Sequence, residues 1–204
     1  LPAAIGGSTL VCPGTTTTLT NTTIGGTWTS SSAGAPISPS SGVVSGLSVG
    51  TSTISYILST GCSSVTYVTV NPLPASITGT TSACVGTTTT LSDATPGGTW
   101  SMTGGVATVG SASGIVTGIG IGTSNVTYTL LSTGCRMTTV VTVNANPLPF
   151  GGSFTVCEGL TSAITDGTAG GTWTSSNTAI ATISSSTGVM TGIGAGNATI
   201  TYII

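Results

Sequence analysis

The stretch "SGVVSGLSVGTSTISY", from Ser41 to Tyr56, decides the fold because the chain carries it three times, in altered form and without gaps. The other copies are "SGIVTGIGIGTSNVTY" at 113–128 and "TGVMTGIGAGNATITY" at 187–202. Each copy ends in alternating polar and apolar residues, a pattern typical of a half-buried strand. Glycines recur at fixed places before that strand, where turns and bulges favour a residue without a side chain. The block therefore indicates a chain built from repeats.

The tetrapeptide GGTW extends the repeat toward the N-terminus. It ends at Trp28, Trp100 and Trp173, at intervals of 72 and 73 residues, and a cysteine precedes each tryptophan by 16 positions. The element "VTVN" closes the first two copies, and "PLP" follows it each time. These spacings predict three domains, with the bounds 1–72, 73–147 and 148–204.

Short runs rich in Val, Ile and Thr fill each copy, and glycine-rich breaks separate them. β-branched residues favour pleated strands, and no run shows helical periodicity. Breaks about every 8 to 12 residues are typical of a sandwich or a small barrel. The sequence therefore predicts an all-β protein.

Charge is almost absent from this chain. Only 2% of the 204 residues are charged, with Arg136 as the one basic residue, and 38% are hydrophobic. Nucleic acids and anionic membranes are bound through clustered Lys and Arg, so both are excluded as partners. No apolar run reaches the roughly 18 residues of a membrane span, so we expect none in this segment.

Catalytic chemistry has few candidate residues here. The chain has no His and no Lys, and its only acids are Asp93, Glu158 and Asp166. General acid–base and triad mechanisms need such groups in close proximity. Asp93 and Asp166 each precede a glycine-rich turn, as Asn21 does in the first copy, so we interpret all three as turn formers. We predict no enzyme and no catalytic, cofactor-binding or metal-ligating residue.

Cysteines recur in a regular pattern. The two complete copies hold Cys12 with Cys62 and Cys84 with Cys135, which are 50 and 51 residues apart. We predict a disulfide within each copy, worth roughly 4 kcal/mol in the chain-entropy model, and leave Cys157 unpaired. Two thiols without His or a nearby acid cannot complete a tetrahedral zinc site. Free thiols remain the alternative.

Each copy contains a single tryptophan. One tryptophan per sandwich usually anchors the core, so we predict that Trp28, Trp100 and Trp173 are buried in equivalent places. The alternative is an exposed platform on which sugar rings stack.

The stretch "TWTSSNTAIATISSSTGVMTGIGAGNATITY" at 172–202 resembles bacterial immunoglobulin-like domains, nearest to the group 2 kind. The "VC-x-G" and "TGC" elements, with "VTVNPLP" between copies, resemble tandem repeats of very large secreted surface proteins of Bacteroidota, among them adhesins and cell-surface filaments. The resemblance implies tandem immunoglobulin-like antiparallel β-sandwiches of about seven strands each, and export to the cell surface. It carries no catalytic residues.

The function that we predict is structural: a stalk or shaft segment of an extracellular adhesin or filament. Its partners would be the neighbouring repeats and other copies in a filament. One alternative is an adhesive module that binds surface glycans, and another is a set of spacer domains in a secreted enzyme.

The third copy ends early. Ile204 aligns with Leu58 and Leu130, so the last strand and second cysteine of the complete copies have no counterpart. An unpaired edge recruits other strands, so we expect the natural chain to continue. The alternative is that a neighbouring molecule donates the strand, through an N-terminal segment such as "LPAAIGGSTLV".

Overall fold

The recurring block spans two strands that lie in different sheets, and this crossing creates a sandwich. The structure is a computed structural model that describes all residues, 1–204. It consists of strands, turns and loops, and it contains no helix that could cross a membrane. In the first copy, the block supplies a short strand, then a glycine-rich crossing, then a long strand.

The first repeat has seven strands. They are β1 (Gly6–Gly7), β2 (Leu10–Val11), β3 (Thr16–Thr20), β4 (Gly26–Ser30), β5 (Val43–Ser45), β6 (Gly50–Leu58) and β7 (Ser63–Val70). They form two sheets, with the orders β1-β3-β5 and β2-β7-β6-β4. The block thus runs from β5 in one sheet to β6 in the other.

The second repeat has eight strands. They are β8 (Thr78–Gly79), β9 (Ser82–Cys84), β10 (Thr88–Ser92), β11 (Gly98–Thr103), β12 (Ala107–Val109), β13 (Ile115–Gly118), β14 (Gly122–Leu130) and β15 (Arg136–Asn144). Their sheets have the orders β12-β13-β10-β8 and β11-β14-β15-β9.

The third repeat has six strands. They are β16 (Gly151–Gly152), β17 (Thr161–Thr165), β18 (Thr172–Ser175), β19 (Ala181–Ile183), β20 (Val189–Gly192) and β21 (Ile200–Ile203). One sheet has the order β16-β17-β20-β19, and the other pairs β18 with β21 alone.

The predicted all-β, immunoglobulin-like sandwich is confirmed, with one addition. Almost all pairings are antiparallel, but β2 lies parallel to the end of β7, with Val11 opposite Val70. In the second repeat, β9 lies parallel to the end of β15, with Cys84 opposite Asn144. In both repeats, the short second strand therefore lies beside the last residues of its own repeat.

Each repeat has its own hydrophobic cluster, drawn from residues 11–70, 91–143 and 164–190 respectively. The chain divides into two compact units, Leu1–Asn144 and Ala145–Ile204. The first unit holds two repeats with all four of their sheets and both of their clusters, so we expect it to fold independently.

A tryptophan–tyrosine pair fixes the centre of each sandwich. In the first repeat, Trp28 on β4 lies opposite Tyr56 on β6, with ring centroids 4.7 Å apart. The Tyr56 hydroxyl donates to the carbonyl of Thr23 at 2.7 Å and accepts from the amide of Gly26 at 2.9 Å. The same arrangement recurs at Trp100 with Tyr128 and at Trp173 with Tyr202.

The two glycines of GGTW make room for this tyrosine. Gly25 has a φ of 84°, which L side chains rarely adopt. A Cβ on Gly26 would lie 2.5 Å from the ring of Tyr56. The GGTW motif and the tyrosine that ends the block therefore pack directly against each other.

We expect Tyr128→Phe to lower the free energy of unfolding of the second repeat by about 1–3 kcal/mol, because the amide of Gly98 loses the hydroxyl that accepts its hydrogen bond. The matched control is Tyr67→Phe, since Tyr67 is 65% exposed and its hydroxyl faces water. Chemical denaturation of the chain and both variants measures the difference. Equal effects of the two substitutions would contradict the role given to the buried hydroxyl.

Candidate functional site

The cysteines occupy two kinds of position, and the first kind is the turn of the long hairpin. Cys62 lies between β6 and β7, and Cys135 lies between β14 and β15. The amide of Leu58 donates to the carbonyl of Cys62 at 2.9 Å, and Leu130 does the same to Cys135 at 2.9 Å. We call Cys62 and Cys135 the hairpin cysteines, because identical backbone bonds close both turns.

The second kind of position is the end of the short second strand of a repeat, where the loop to the third strand begins. The amide of Cys12 donates to the Thr15 hydroxyl at 3.1 Å, and that hydroxyl donates back to the carbonyl of Cys12 at 2.8 Å. Cys84 and Thr87 make the same two bonds, each at 2.9 Å. This pair of hydrogen bonds to a threonine hydroxyl, which we call the threonine bracket, therefore holds both cysteines in the same conformation.

Cys157 belongs to the same kind of loop in the third repeat. Its carbonyl accepts from the amide of Leu160 at 3.0 Å, and the amide of Gly159 donates to Gly192 at 2.9 Å. Leu160 takes the place of the bracketing threonine, so the side-chain bonds are absent there. We call Cys12, Cys84 and Cys157 the loop cysteines.

The structure joins a loop cysteine of one repeat to a hairpin cysteine of the next. Cys12 and Cys135 form a disulfide with a Cα–Cα distance of 5.6 Å and a sequence separation of 123. Cys62 and Cys157 are exposed free thiols, and Cys84 is a partly buried one. The predicted pairing of Cys12 with Cys62 and of Cys84 with Cys135 is therefore wrong.

Strand length is the physical reason for this correction. Cys62 precedes β7, whereas Cys12 follows the strand that pairs with the end of β7. The eight residues of β7, at about 3.3 Å each, separate the two positions by roughly 26 Å. A disulfide needs Cα atoms within about 7 Å, so no bond within the repeat is compatible with the sheet.

The second repeat obeys the same constraint. Cys84 lies opposite Asn144 at one end of β15, and Cys135 precedes the other end. The signal was present in the sequence, since "TGC" sits between two long strands and "VTVN" ends the second of them. What the sequence did not show was that "VC" lies beside "VTVN".

The disulfide lies in a shallow groove where the first two repeats meet. Its lining includes Pro13, Leu73, Arg136 and Thr138. Cys135 has no exposed surface, and its Sγ atom lies 3.8 Å from the carbonyl oxygen of Asn71. Part of the linker and the single arginine of the chain therefore stand at this junction.

The three tryptophans lie in equivalent places within the sandwiches. Trp28, Trp100 and Trp173 are 5%, 7% and 5% exposed. Phe150 adds a second ring beside Trp173, at a centroid distance of 5.0 Å. None of the three indole faces is free to stack on a sugar.

The turn-forming role predicted for Asp93 and Asp166 is confirmed. The Oδ1 atom of Asp93 accepts from the amide of Thr95 at 2.7 Å, and that of Asp166 accepts from Thr168 at 2.6 Å. Asn21 makes the equivalent bond to Thr23 at 2.9 Å. Such bonds are typical of Asx turns. No three His, Cys, Asp or Glu side chains come together as a metal site would require.

The Asx residue of this turn has a second polar side-chain atom, which is a nitrogen in the first repeat and an oxygen in the other two. In the first repeat, Nδ2 of Asn21 donates to the carbonyl of Ala3 at 2.7 Å. In the others, Oδ2 of Asp93 and Oδ2 of Asp166 are buried without a partner. A carboxylate oxygen accepts and does not donate, so neither aspartate can repeat the bond that Asn21 makes.

Comparison with known proteins agrees with this sandwich. Residues 154–203 match the family of bacterial Ig-like domains (group 2). No curated protein matches the chain by sequence.

Three solved structures are weakly similar to this chain. A C-terminal 282-residue fragment of intimin, in complex with the intimin-binding domain of the translocated intimin receptor, has 14% identity and a TM-score of 0.45, with 78% of this chain and 69% of that chain covered. Domains 4 and 5 of the S-layer protein SbsC have 21% identity and a TM-score of 0.29, with coverages of 63% and 82%. Drosophila N-cadherin EC1-4 has 12% identity and a TM-score of 0.32, with coverages of 89% and 62%. Identities and scores this low carry no conclusion about function.

We expect Asp93→Asn to raise the stability of the second repeat by about 1 kcal/mol, because the new amide group can donate to a carbonyl as Asn21 does. Ala75 is the equivalent of Ala3, since each donates its amide to the threonine hydroxyl of the turn. Glu158→Gln is the matched control, because Glu158 is an exposed loop residue. Denaturant titration compares the two variants, and a destabilised Asp93→Asn protein would contradict the expectation.

Cys135→Ser should lower the stability of the first unit by about 5 kcal/mol at most, because the disulfide closes a loop of 123 residues. Cys62→Ser removes the equivalent hairpin cysteine, which is free and exposed, and should change stability little. Unfolding under non-reducing conditions measures both. Peptide mapping of the unaltered chain should find Cys12 linked to Cys135, and a Cys12–Cys62 link would contradict the structure.

Proposed function

We propose that this chain, whose residues 154–203 match the family of bacterial Ig-like domains (group 2), is a load-bearing segment of an extracellular cell-surface protein. In this proposal the three repeats are tandem sandwich domains, with the bounds 1–72, 73–147 and 148–204. Together they form part of a stalk or shaft that holds another part of the protein away from the cell. Their immediate partners are neighbouring repeats of the same kind.

The observation that carries the proposal is the disulfide between consecutive repeats. A bond within one repeat would stabilise that repeat alone. The bond from Cys12 to Cys135 instead ties the end of one sandwich to the hairpin of the next. Consecutive domains are then connected at two points, through the "NPLP" linker at 71–74 and through the disulfide. A double connection of this kind suits a part whose function is to keep its shape under load.

The position of the disulfide also determines how a pulling force travels. Tension applied at the two ends of the chain passes from Cys12 directly to Cys135. The residues between them lie in a closed loop, so they bear no load while the bond is intact. The disulfide carries the force in place of these residues, so most of the first two sandwiches is protected from mechanical unfolding.

The surface and the disulfide both support an extracellular location. Disulfides persist in oxidising compartments and are rare in the cytosol. The outward faces of the long hairpins carry hydroxyl groups rather than ions, as in the Thr51–Thr69 and Thr127–Thr138 pairs, whose oxygens lie 3.3 and 3.1 Å apart. Cross-strand hydroxyl pairs stabilise a sheet without charge.

We infer no catalytic role. The chain has no His and no Lys, and two of its three carboxylates are engaged in turns. The burial of the three tryptophans leaves the glycan-binding alternative without the platform on which it depended. A spacer in a secreted enzyme would use the same mechanical properties and would differ only in what the array carries.

Stretching single molecules of the chain between its two ends tests the load-bearing role. The intact chain should extend less than the reduced chain by about 400 Å, because 123 residues are hidden behind the disulfide and each adds about 3.4 Å when extended. Cys135→Ser should give the longer extension without reductant, and Cys62→Ser should behave like the unaltered chain. Equal extension of the oxidised and reduced chains would overturn the proposal.

A further inference from the structure

The first unit contains one complete junction and one half of each of two further junctions. Cys12 and Cys135 form the junction between its repeats. Cys84 is a second loop cysteine and Cys62 a second hairpin cysteine, and both are free. We propose that Cys84 and Cys62 are half-sites for the same kind of disulfide, each with a further complete repeat of this kind as its partner.

The rule that we infer is directional. The loop cysteine of each repeat bonds to the hairpin cysteine of the repeat that follows it. Cys84 therefore takes a hairpin cysteine from a following repeat, and Cys62 takes a loop cysteine from a preceding one. This inference rests on the tandem architecture in the proposed function but not on the cellular role.

Cys84 is held as Cys12 is held. The same two hydrogen bonds to a threonine hold both cysteines. The next turn of the loop is also held in the same way: the amide of Gly14 donates to the carbonyl of Gly46 in the first repeat, and the amide of Gly86 donates to the carbonyl of Gly118 in the second, each at 2.9 Å. A Cβ on Gly118 would lie 2.6 Å from the carbonyl oxygen of Cys84, so the loop packs directly on the recurring block. The second repeat therefore presents its loop thiol in the geometry that already forms a disulfide at Cys12.

Cys62 differs from Cys135 in exposure rather than in backbone structure. In both turns a leucine amide donates a hydrogen bond to the cysteine carbonyl, although the turn before Cys135 is one residue longer. Cys135 is completely buried at the junction, whereas Cys62 is exposed. A docked repeat would cover Cys62 as the first repeat covers Cys135.

Neither thiol can find a partner within its own unit. Cys62 stands at the end of the first sandwich opposite to Cys12, and Cys84 stands at the end of the second opposite to Cys135. The two free thiols therefore mark the two far ends of the first unit, with the existing junction between them. Residues 145–204 contain a loop cysteine, Cys157, and no hairpin cysteine.

The chemistry of each new bond is an ordinary thiol oxidation. One thiol from each repeat loses a proton and an electron, the two sulfur atoms join, and the electron pair passes to a disulfide oxidant. That oxidant, a protein or small-molecule disulfide of the extracytoplasmic space, leaves as two thiols.

The test joins two copies of residues 1–144 through a single proline. Asn144, the added proline, Leu1 and Pro2 then reproduce the natural "NPLP" junction at 71–74. The protein is folded in the presence of oxidised glutathione, alkylated and mapped without reduction. We expect Cys12–Cys135 in each copy, a third bond from Cys84 of the first copy to Cys62 of the second, and two alkylated thiols among the eight cysteines.

Two matched variants make the result specific. Cys62→Ser in the second copy should abolish the third bond and leave three thiols, whereas Cys62→Ser in the first copy should keep all three bonds and leave one thiol. Alkylation of both Cys84 and Cys62 at the new junction, with both Cys12–Cys135 bonds present, would overturn the inference. Loss of the Cys12–Cys135 bonds, or a Cys62–Cys84 bond within one copy, would overturn it as well. Stretching of the natural chain depends on Cys12–Cys135 alone, so failure of the inference and failure of the proposed function are distinguishable.

Discussion

Each sandwich depends on one tyrosine hydroxyl that is buried beside a tryptophan ring. The hydroxyl has two bonds to make in a site with little water, and the backbone of the preceding turn supplies both partners. That turn can approach closely only because GGTW begins with two glycines. The tyrosine ends the recurring block and the tryptophan ends the recurring tetrapeptide, so the two most regular features of the sequence meet in space.

The fold could be predicted from the sequence because its determinants are local or repeated. Strand alternation, the buried tryptophans and the Asx turns all follow from residue types at short spacing. Because these patterns recur three times, positions that would be ambiguous in one copy can be assigned by comparison with the other two. The backbone bonds at Asp93 and Asp166 were expected from this kind of evidence. The partnerless second oxygens were not, because they depend on a carbonyl contributed by a segment about 18 residues earlier in the chain.

The disulfide could not be predicted from the cysteine spacing, because the spacing does not show at which end of the sandwich each cysteine lies. Two cysteines about 50 residues apart in one repeat look like natural partners. They are separated because β2 pairs parallel to β7, and this places Cys12 at the opposite end of the long hairpin from Cys62. A parallel pairing of two residues leaves almost no trace in sequence periodicity. The error is therefore one of topology: a disulfide forms, but it joins two repeats, and Cys62 and Cys84 are free thiols.

Two-point attachment changes what an array of small sandwiches can do. A single proline-containing linker restricts one backbone segment but lets the domains that it joins swivel about it. A second covalent connection, some distance from the first, removes most of that rotation. Because Cys84 lies between Cys12 and Cys135 in the sequence, the loop closed at the next junction would begin inside the loop closed at the first. Successive loops would then overlap, so consecutive sandwiches would be linked both by the backbone and by a disulfide. In the proposed shaft, stiffness would come from the placement of the cysteines rather than from large cores or from charge.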